Sequence, residues 1–233
     1  NGTRVLLSGR NGGSGDNWLR GLSGSDSISG GAGFDTVSYR PEGGGVTVNL
    51  GAGTQSGAAG NDILVSIEGA EGTMFSDTLI GINAAANKLS GFGGNDTLRV
   101  TQGADTLDGG DGFDTSDFSA VTGVVYAGVL AVNVNLATHI ADLNKSFAGA
   151  DSTVFSIESV LGTAGDDVFV GGDAAHATDS LGTRIGESFT GNAGNDTITG
   201  GVGAEFSATA NYSNNTSGQA VSANLFTGTA ADG

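Results

Sequence analysis

The fold is decided by a stretch of nine residues, Gly30-Gly31-Ala32-Gly33-Phe34-Asp35-Thr36-Val37-Ser38. Glycine occupies its first, second and fourth positions, aspartate the sixth and a large apolar residue the eighth. Because glycine adopts backbone angles that other residues avoid, the first half of the stretch predicts a tight turn. The last three residues suffice for one short strand with a single inward side chain. The stretch therefore predicts a turn followed by a strand.

The same unit recurs along the chain. Two copies directly upstream, 12–20 and 21–29, continue its register, with Leu19 and Ile28 at the apolar position. One unit cannot bury its own apolar side chain, so we expect the units to stack at the ~4.8 Å spacing of paired strands. The other copies lie at 57–65, 82–90, 91–99, 100–108, 109–117, 162–170, 182–190, 191–199 and 200–208.

A second unit is repeated between these blocks, at Val46-Thr47-Val48-Asn49-Leu50, Val132-Asn133-Val134-Asn135-Leu136 and Val221-Ser222-Ala223-Asn224-Leu225. Ser66-Ile67-Glu68 follows the first copy and Ser156-Ile157-Glu158 the second, which gives a longer period of about 90 residues. We expect these cassettes to continue the stack with longer, irregular turns. Because the third copy lacks its Ser-Ile-Glu, we also expect the chain to be a piece of a larger protein.

With these runs in register, the sequence resembles the RTX (repeats-in-toxin, haemolysin-type calcium-binding) family, whose repeat is G-G-x-G-x-D-x-U-x with U a large apolar residue. The resemblance covers nearly the whole chain. It implies an all-β fold, a right-handed parallel β-roll in which two sheets form a β-solenoid. We therefore expect one continuous roll over 1–233, with nonapeptide blocks at about 12–38, 57–65, 72–117 and 162–208 and irregular β cassettes at 39–56, 118–161 and 209–233.

The resemblance further implies two nonapeptides in each coil, so that equivalent turns lie one above the other about 18 residues apart. This places Asn17 over Asp35, Asn87 over Asp105, Asp96 over Asp114 and Glu187 over Glu205. Asp77 would lie under Asp96 with one residue more between them.

Stacked carboxylates predict a hard divalent cation between successive turns, because they would otherwise repel each other. Ca²⁺ accepts oxygen ligands with loose geometry, whereas Mg²⁺ demands a tight octahedron, and a chain without Cys has no thiolate ligands. At any single copy, the alternative is an ordinary turn in which the aspartate bonds its own backbone. We expect several Ca²⁺ ions, with these ligands: Asp26, Asp35, Asp62, Asp77, Asp96, Asp105, Asp114, Asp167, Asp196, Glu187, Glu205, Asn17 and Asn87, with carbonyls near Gly31, Gly33, Gly94, Gly110 and Gly112.

Composition excludes several other kinds of partner. The chain has 25 acidic against 8 basic residues and a formal net charge of -17, so we expect no nucleic-acid partner. The longest apolar segment, 121–136, is interrupted by polar residues and is too short to span a bilayer, so we expect no membrane insertion.

No catalytic motif is present. His139 and His176 lie in no metal-binding or catalytic spacing, and there is no G-x-S-x-G motif. We therefore expect no enzyme in this segment. Four aromatic residues either form an exposed strip for a polysaccharide or cover the ends of the core: Trp18, Phe34, Phe113 and Tyr39.

Three functions from different classes are compatible with these features. The first is a Ca²⁺-stabilised structural segment of a secreted or cell-surface protein, such as a surface layer, an adhesin or an extracellular matrix filament, whose partners are calcium ions, neighbouring repeats or further copies of itself. The second is the secretion and folding module of a type I-secreted hydrolase or toxin, with an uncleaved signal beyond Gly233. The third is a polysaccharide lyase of the parallel β-helix class, which the nine-residue period and the 8 basic residues argue against.

Overall fold

The computed structural model describes residues 3–6, 12–83, 85–100, 102–121, 131–143, 151–172, 186–201, 208–211 and 221–224. No helix within these ranges is long and apolar enough to cross a membrane. The described residues form short strands: β1 (Thr3–Leu6), β2 (Asn17–Arg20), β3 (Ser27–Ser29), β4 (Thr36–Ser38), β5 (Val46–Asn49), β6 (Thr54–Gly57), β7 (Gly60–Val65), β8 (Gly69–Glu71), β9 (Thr78–Ile80), β10 (Lys88–Gly93), β11 (Thr97–Arg99), β12 (Thr106–Asp111), β13 (Thr115–Asp117), β14 (Asn133–Asn135), β15 (Ile140–Asp142), β16 (Ser152–Phe155), β17 (Ser159–Leu161), β18 (Val168–Val170), β19 (Glu187–Thr190), β20 (Asp196–Thr199), β21 (Ala208–Asn211) and β22 (Val221–Asn224).

The strands form two sheets. Sheet A has the order β1-β2-β4-β8-β10-β12-β16-β15-β14-β18-β20-β22, and sheet B has the order β21-β19-β17-β13-β11-β9-β5-β6-β7-β3. From β2 onward and outside the two cassettes, consecutive strands alternate between the sheets and pair in parallel within each sheet, whereas β1 and β2 both lie in sheet A. The predicted all-β parallel β-roll is therefore confirmed.

The strand register confirms two nonapeptides per coil. In sheet A, Lys88 pairs with Thr106, and in sheet B, Thr97 pairs with Thr115. Thr78 pairs with Thr97, which is the longer step predicted for this coil. The predicted stacking fails at one place, because Glu187 pairs with Ala208. The prediction that Glu205 lies over Glu187 is therefore wrong, and Glu205 itself lies outside the described residues.

The core is a column of apolar side chains between the two sheets. Alternation along each short strand turns the eighth residue of the repeat inward, where it packs on the equivalent residue of the next coil. Leu98, which pairs with Leu79, is fully buried. The other buried residues at this position include Leu19, Ile28, Val37, Leu89, Leu107, Phe169, Phe189 and Ile198.

The first two cassettes continue the stack, because their outer strands pair in parallel with regular strands, but they do so as antiparallel meanders and not with irregular turns. The first meander includes β7, which lies in the predicted nonapeptide copy 57–65. In sheet B, β5, β6 and β7 pair antiparallel, and β14, β15 and β16 do so in sheet A. The asparagine after each Val-x-Val causes the reversal. Oδ1 of Asn49 accepts the N–H of Ala52 at 2.8 Å, and Oδ1 of Asn135 accepts the N–H of Thr138 at 3.0 Å.

Candidate metal centres

The side chains at the sixth position of the turns form a ladder along each edge of the roll. On the edge before sheet A, the N–H of Asn17 donates to Oδ1 of Asp35 at 2.8 Å, and the N–H of Asp35 donates to Oε2 of Glu68 at 2.9 Å. The N–H of Asn87 donates to Oδ1 of Asp105 at 2.9 Å. Each side chain therefore accepts the backbone N–H of the coil before it.

The edge before sheet B carries the longest run of this ladder. The N–H of Asp77 donates to Oδ1 of Asp96 at 2.8 Å, and the N–H of Asp96 donates to Oδ1 of Asp114 at 2.7 Å. The N–H of Asp114 continues the ladder to Oε2 of Glu158 at 2.8 Å. Asp96 thus lies between Asp77 and Asp114, as the spacing predicts.

Most of these carboxylates use only one oxygen in the ladder. Asp35 and Asp114 are fully buried and Asp96 is 1% exposed, yet Oδ2 of each accepts no hydrogen bond from the described residues. A buried carboxylate oxygen without a donor costs free energy unless a cation neutralises it. Oδ2 of Asp26, Oδ2 of Asp196 and Oε2 of Glu187 likewise accept no hydrogen bond from the described residues. The other oxygen of Asp196 and of Glu187 accepts a backbone N–H, as Oδ1 of Asp105 does in the ladder.

The free oxygens lie against the glycine that opens the turn. A Cβ on Gly109 would lie 2.5 Å from Oδ2 of Asp114. A Cβ on Gly91 would meet Oδ2 of Asp96 and, at 2.6 Å, the carbonyl oxygen of Gly109 on the next coil. Glycine at the first position therefore keeps open a space that is bordered by carboxylate and carbonyl oxygens.

The glycines predicted to bring carbonyls to this space all have positive φ, a conformation that other residues rarely adopt. Stacking also requires glycine, because a Cβ on Gly33 would lie 2.6 Å from the carbonyl oxygen of Gly15 in the coil below. The φ angles are 107° at Gly31, 135° at Gly33, 100° at Gly94, 101° at Gly110 and 150° at Gly112.

Burial raises the pKa of the stacked acids. The pKa of Asp96 is raised to about 8, mainly by desolvation and in part by the charges of Asp114 and Asp77, while the hydrogen bond from the N–H of Asp77 opposes the rise. Desolvation likewise raises the pKa of Asp114 to about 6 and that of Glu158 to about 7. Without a counter-ion, burial therefore disfavours the ionised form of these stacked acids, and a bound cation would favour it.

The residues at the Asp96 and Asp114 turns fit a calcium ion. The available atoms are carboxylate and carbonyl oxygens in pairs of stacked turns, which is the donor type that Ca²⁺ prefers. Within the described ranges, no three His, Cys, Asp or Glu side chains form one metal-binding group. A calcium ion would here be held by carboxylates from two coils together with glycine carbonyls.

Other predicted ligands are already occupied by protein donors. Oδ1 of Asp62 accepts the N–H of Asp26 at 2.8 Å, and its Oδ2 accepts the hydroxyl of Tyr39 at 2.9 Å. Asp77 and Asp167 accept the N–H and hydroxyl of the threonine four residues before them. These three carboxylates have donors on both oxygens.

Asn17 and Asn87 use their amides as donors. Nδ2 of Asn87 donates to the carbonyl oxygen of Ala85 at 2.8 Å and to Oδ1 of Asp105 at 3.0 Å. Nδ2 of Asn17 donates to the carbonyl oxygen of Gly15 and to Oδ1 of Asp35. The amide thus lies between a carbonyl and a carboxylate, and its N–H hydrogens interact favourably with both oxygens.

Sequence reasoning assigned no role to Glu68 and Glu158, although both continue the ladder where a meander interrupts the nonapeptides. The repeated Ser-Ile-Glu motif could have indicated this role, because its glutamate makes the same hydrogen bonds in both copies. Each glutamate accepts the N–H of the aspartate in the coil before and returns its own N–H to that residue's carbonyl oxygen.

The proposed aromatic strip is not continuous. Tyr39 is buried, and its hydroxyl bonds Asp62. The indole Nε1 of Trp18 donates to Glu71 at 2.9 Å, while Phe34 is partly exposed at 36%. Tyr39 therefore covers the core and donates a hydrogen bond to Asp62, and it does not lie beside Phe34 on the surface.

The chain matches the model of the RTX calcium-binding nonapeptide repeat in four copies, at residues 11–38, 83–118, 157–175 and 182–206. No curated protein matches the chain. Both meanders fall between matched stretches, so the match follows the regular turns and their ladder.

Proposed function

Because this chain belongs to the family of RTX calcium-binding nonapeptide repeat proteins, we propose that it is a structural segment of a large surface-layer, adhesin or extracellular matrix protein that folds on binding Ca²⁺ outside the cell. The repeats themselves bind Ca²⁺ and are typical of secreted proteins. The location, the kind of parent protein and contact with neighbouring repeats or further copies are part of the proposal.

One observation carries the proposal: the buried, donor-free oxygens of Asp96 and Asp114 on adjacent coils. Calcium supplies the positive charge that these oxygens lack. With a net charge of -17 and strands of three to six residues, the chain gains little from folding until that charge is supplied. The same sequence would therefore be unfolded at the low calcium concentration inside a cell and folded outside it.

Circular dichroism in a calcium titration tests the proposal. In EGTA we expect an unfolded spectrum, and with millimolar CaCl₂ a β spectrum with a cooperative midpoint. MgCl₂ at the same concentration is the control and should not restore the β spectrum, because Mg²⁺ requires a tighter octahedral set of ligands. An unchanged β spectrum in EGTA would contradict the proposal.

A further inference from the structure

Two of the described turns have threonine as their second residue, where most of the other described turns have glycine, leucine or another residue with positive φ. They are Gly72-Thr73-Met74-Phe75-Ser76-Asp77 and Gly162-Thr163-Ala164-Gly165-Asp166-Asp167. Thr101, at the same position of the turn that ends at Asp105, lies outside the described residues. Each of the two described turns is the first nonapeptide turn after a meander and its Ser-Ile-Glu. The two turns share only their first, second and sixth residues, so common structure between them must come from these positions.

The threonine provides hydrogen-bond donors to the aspartate of its own turn. The N–H of Thr73 donates to Oδ2 of Asp77 at 2.6 Å, and its hydroxyl lies 3.1 Å from both carboxylate oxygens. The N–H of Thr163 donates to Oδ2 of Asp167 at 2.8 Å, and its hydroxyl donates to Oδ1 at 2.8 Å. All four side chains are buried.

A third donor comes from the start of the meander. The N–H of Val46 donates to Oδ1 of Asp77 at 2.7 Å, across 31 residues of chain. The N–H of Val132 donates to Oδ1 of Asp167 at 2.7 Å, across 35 residues. The carboxylate thus ties the first strand of each meander to the turn that follows the meander.

The backbone of these turns differs from that of the turns with a free oxygen. Before Asp96, Phe92 and Gly94 have φ of 77° and 100°. The corresponding residues of the threonine turns, Thr73 with Phe75 and Thr163 with Gly165, have no positive φ. The difference explains the bonding, because the N–H of the second residue reaches Oδ2 in the threonine turns, whereas Oδ2 of Asp96 has no donor.

We propose that Thr73 with Asp77 and Thr163 with Asp167 are metal-independent clasps, each of which holds its meander closed before calcium binds. Three protein donors stabilise the ionised carboxylate of a clasp, whereas the carboxylate of Asp96 has one. Calcium then orders the glycine turns onto meanders that are already formed. This division of the turns rests on the calcium-dependent folding proposed above, and it removes Asp77 and Asp167 from the expected calcium ligands.

Hydrogen exchange of the 233-residue chain, measured in EGTA and in CaCl₂, tests the clasps. In EGTA we expect the amides of Val46 and Val132 to exchange at least tenfold more slowly than those of Asp96 and Asp114. In CaCl₂ all four amides should be protected. Equal, fast exchange of all four amides in EGTA, with protection restored by CaCl₂, would overturn the clasps and leave calcium-dependent folding intact.

Thr73→Val and Thr163→Val remove the hydroxyl but retain the β-branched shape. We expect each variant to lose the protection of its own valine, Val46 or Val132, in EGTA while the number of calcium ions bound in excess CaCl₂ stays the same. Thr78→Val, on the half-buried strand after the first clasp, is the control and should leave Val46 protected. Unchanged protection in both clasp variants, or a lower calcium count, would overturn the clasps. Protection of every strand of the parent chain in EGTA would instead overturn calcium-dependent folding, and with it the division of the turns.

Discussion

Asp96→Asn should change the stability of the roll in opposite directions with and without calcium. Asn17 and Asn87 show what an asparagine does at this position, since each amide donates to the carbonyl two residues before it and to the aspartate of the next coil. An amide at position 96 would have the carbonyl of Gly94 and Oδ1 of Asp114 as the equivalent acceptors. The substitution therefore replaces a buried oxygen without a donor by two hydrogen bonds.

The magnitude follows from these contacts. Removing one buried unsatisfied polar group is worth about 1–3 kcal/mol. Taking about 2 kcal/mol, the folding equilibrium without calcium should shift about 30-fold toward the folded state. In calcium, the same change removes an anionic ligand between two coils, so the calcium midpoint should rise by roughly tenfold for each 1.4 kcal/mol of lost binding.

The assay is circular dichroism in two series. The first is a sucrose titration in EGTA, because sucrose favours the folded state without supplying a cation. The second is a calcium titration. Asp151→Asn, at an exposed acid outside the ladder, removes the same charge and should have little effect in either series. If Asp96→Asn required as much sucrose as the parent chain, or more, the assignment of Asp96 as an acid that needs a cation would be refuted.

Three further predictions follow from the ladder and the core. Asp96→Ala should raise the calcium midpoint for folding more than Asp35→Ala does, because the next coil places beside Asp96 the buried, donor-free oxygen of Asp114, whereas the neighbours of Asp35 are the amide of Asn17 and the half-buried Glu68. Equal midpoints in a calcium titration would contradict this. Leu98→Ala should lower the free energy of unfolding, measured by urea titration in calcium, by about 2–5 kcal/mol, because Leu98 is fully buried. Ile63→Ala is the control, and because its side chain is 59% exposed the loss in the same titration should be far smaller. Without calcium, acidification should favour folding, because the pKa values of Asp96 and Asp114 are raised to about 8 and about 6 in the folded chain. Their contribution to stability is therefore present at low pH and is lost as the pH rises through these values. A metal-free sample should show more β structure by circular dichroism at about pH 5 than at about pH 8.5, and the reverse order would refute this prediction.

The sequence alone determined the stack, because the nonapeptide contains everything that a coil needs. Glycines that permit the turn and one apolar residue in nine predict stacked units, and the resemblance to the RTX family implied two strands per coil and the step from Asn87 to Asp105, which the register confirms. The longer step from Asp77 to Asp96 could be predicted too, since the extra residue is visible in the spacing. The spacing predicted the wrong partner for Glu187, because β19 and β21 are paired so that Glu187 lies beside Ala208 and not beside the residue two nonapeptides further along the chain.

Only the tertiary structure decided which acids keep a free oxygen. Asp96 and Asp77 have the same place in the repeat, yet the donors to Asp77 come from Thr73 in a different backbone conformation and from Val46, 31 residues away. Oδ2 of Asp62 accepts a hydrogen bond from the hydroxyl of Tyr39, which is 23 residues away in the sequence. The repeat sets where a carboxylate lies, whereas its need for a cation depends on whether long-range packing brings hydrogen-bond donors to its second oxygen.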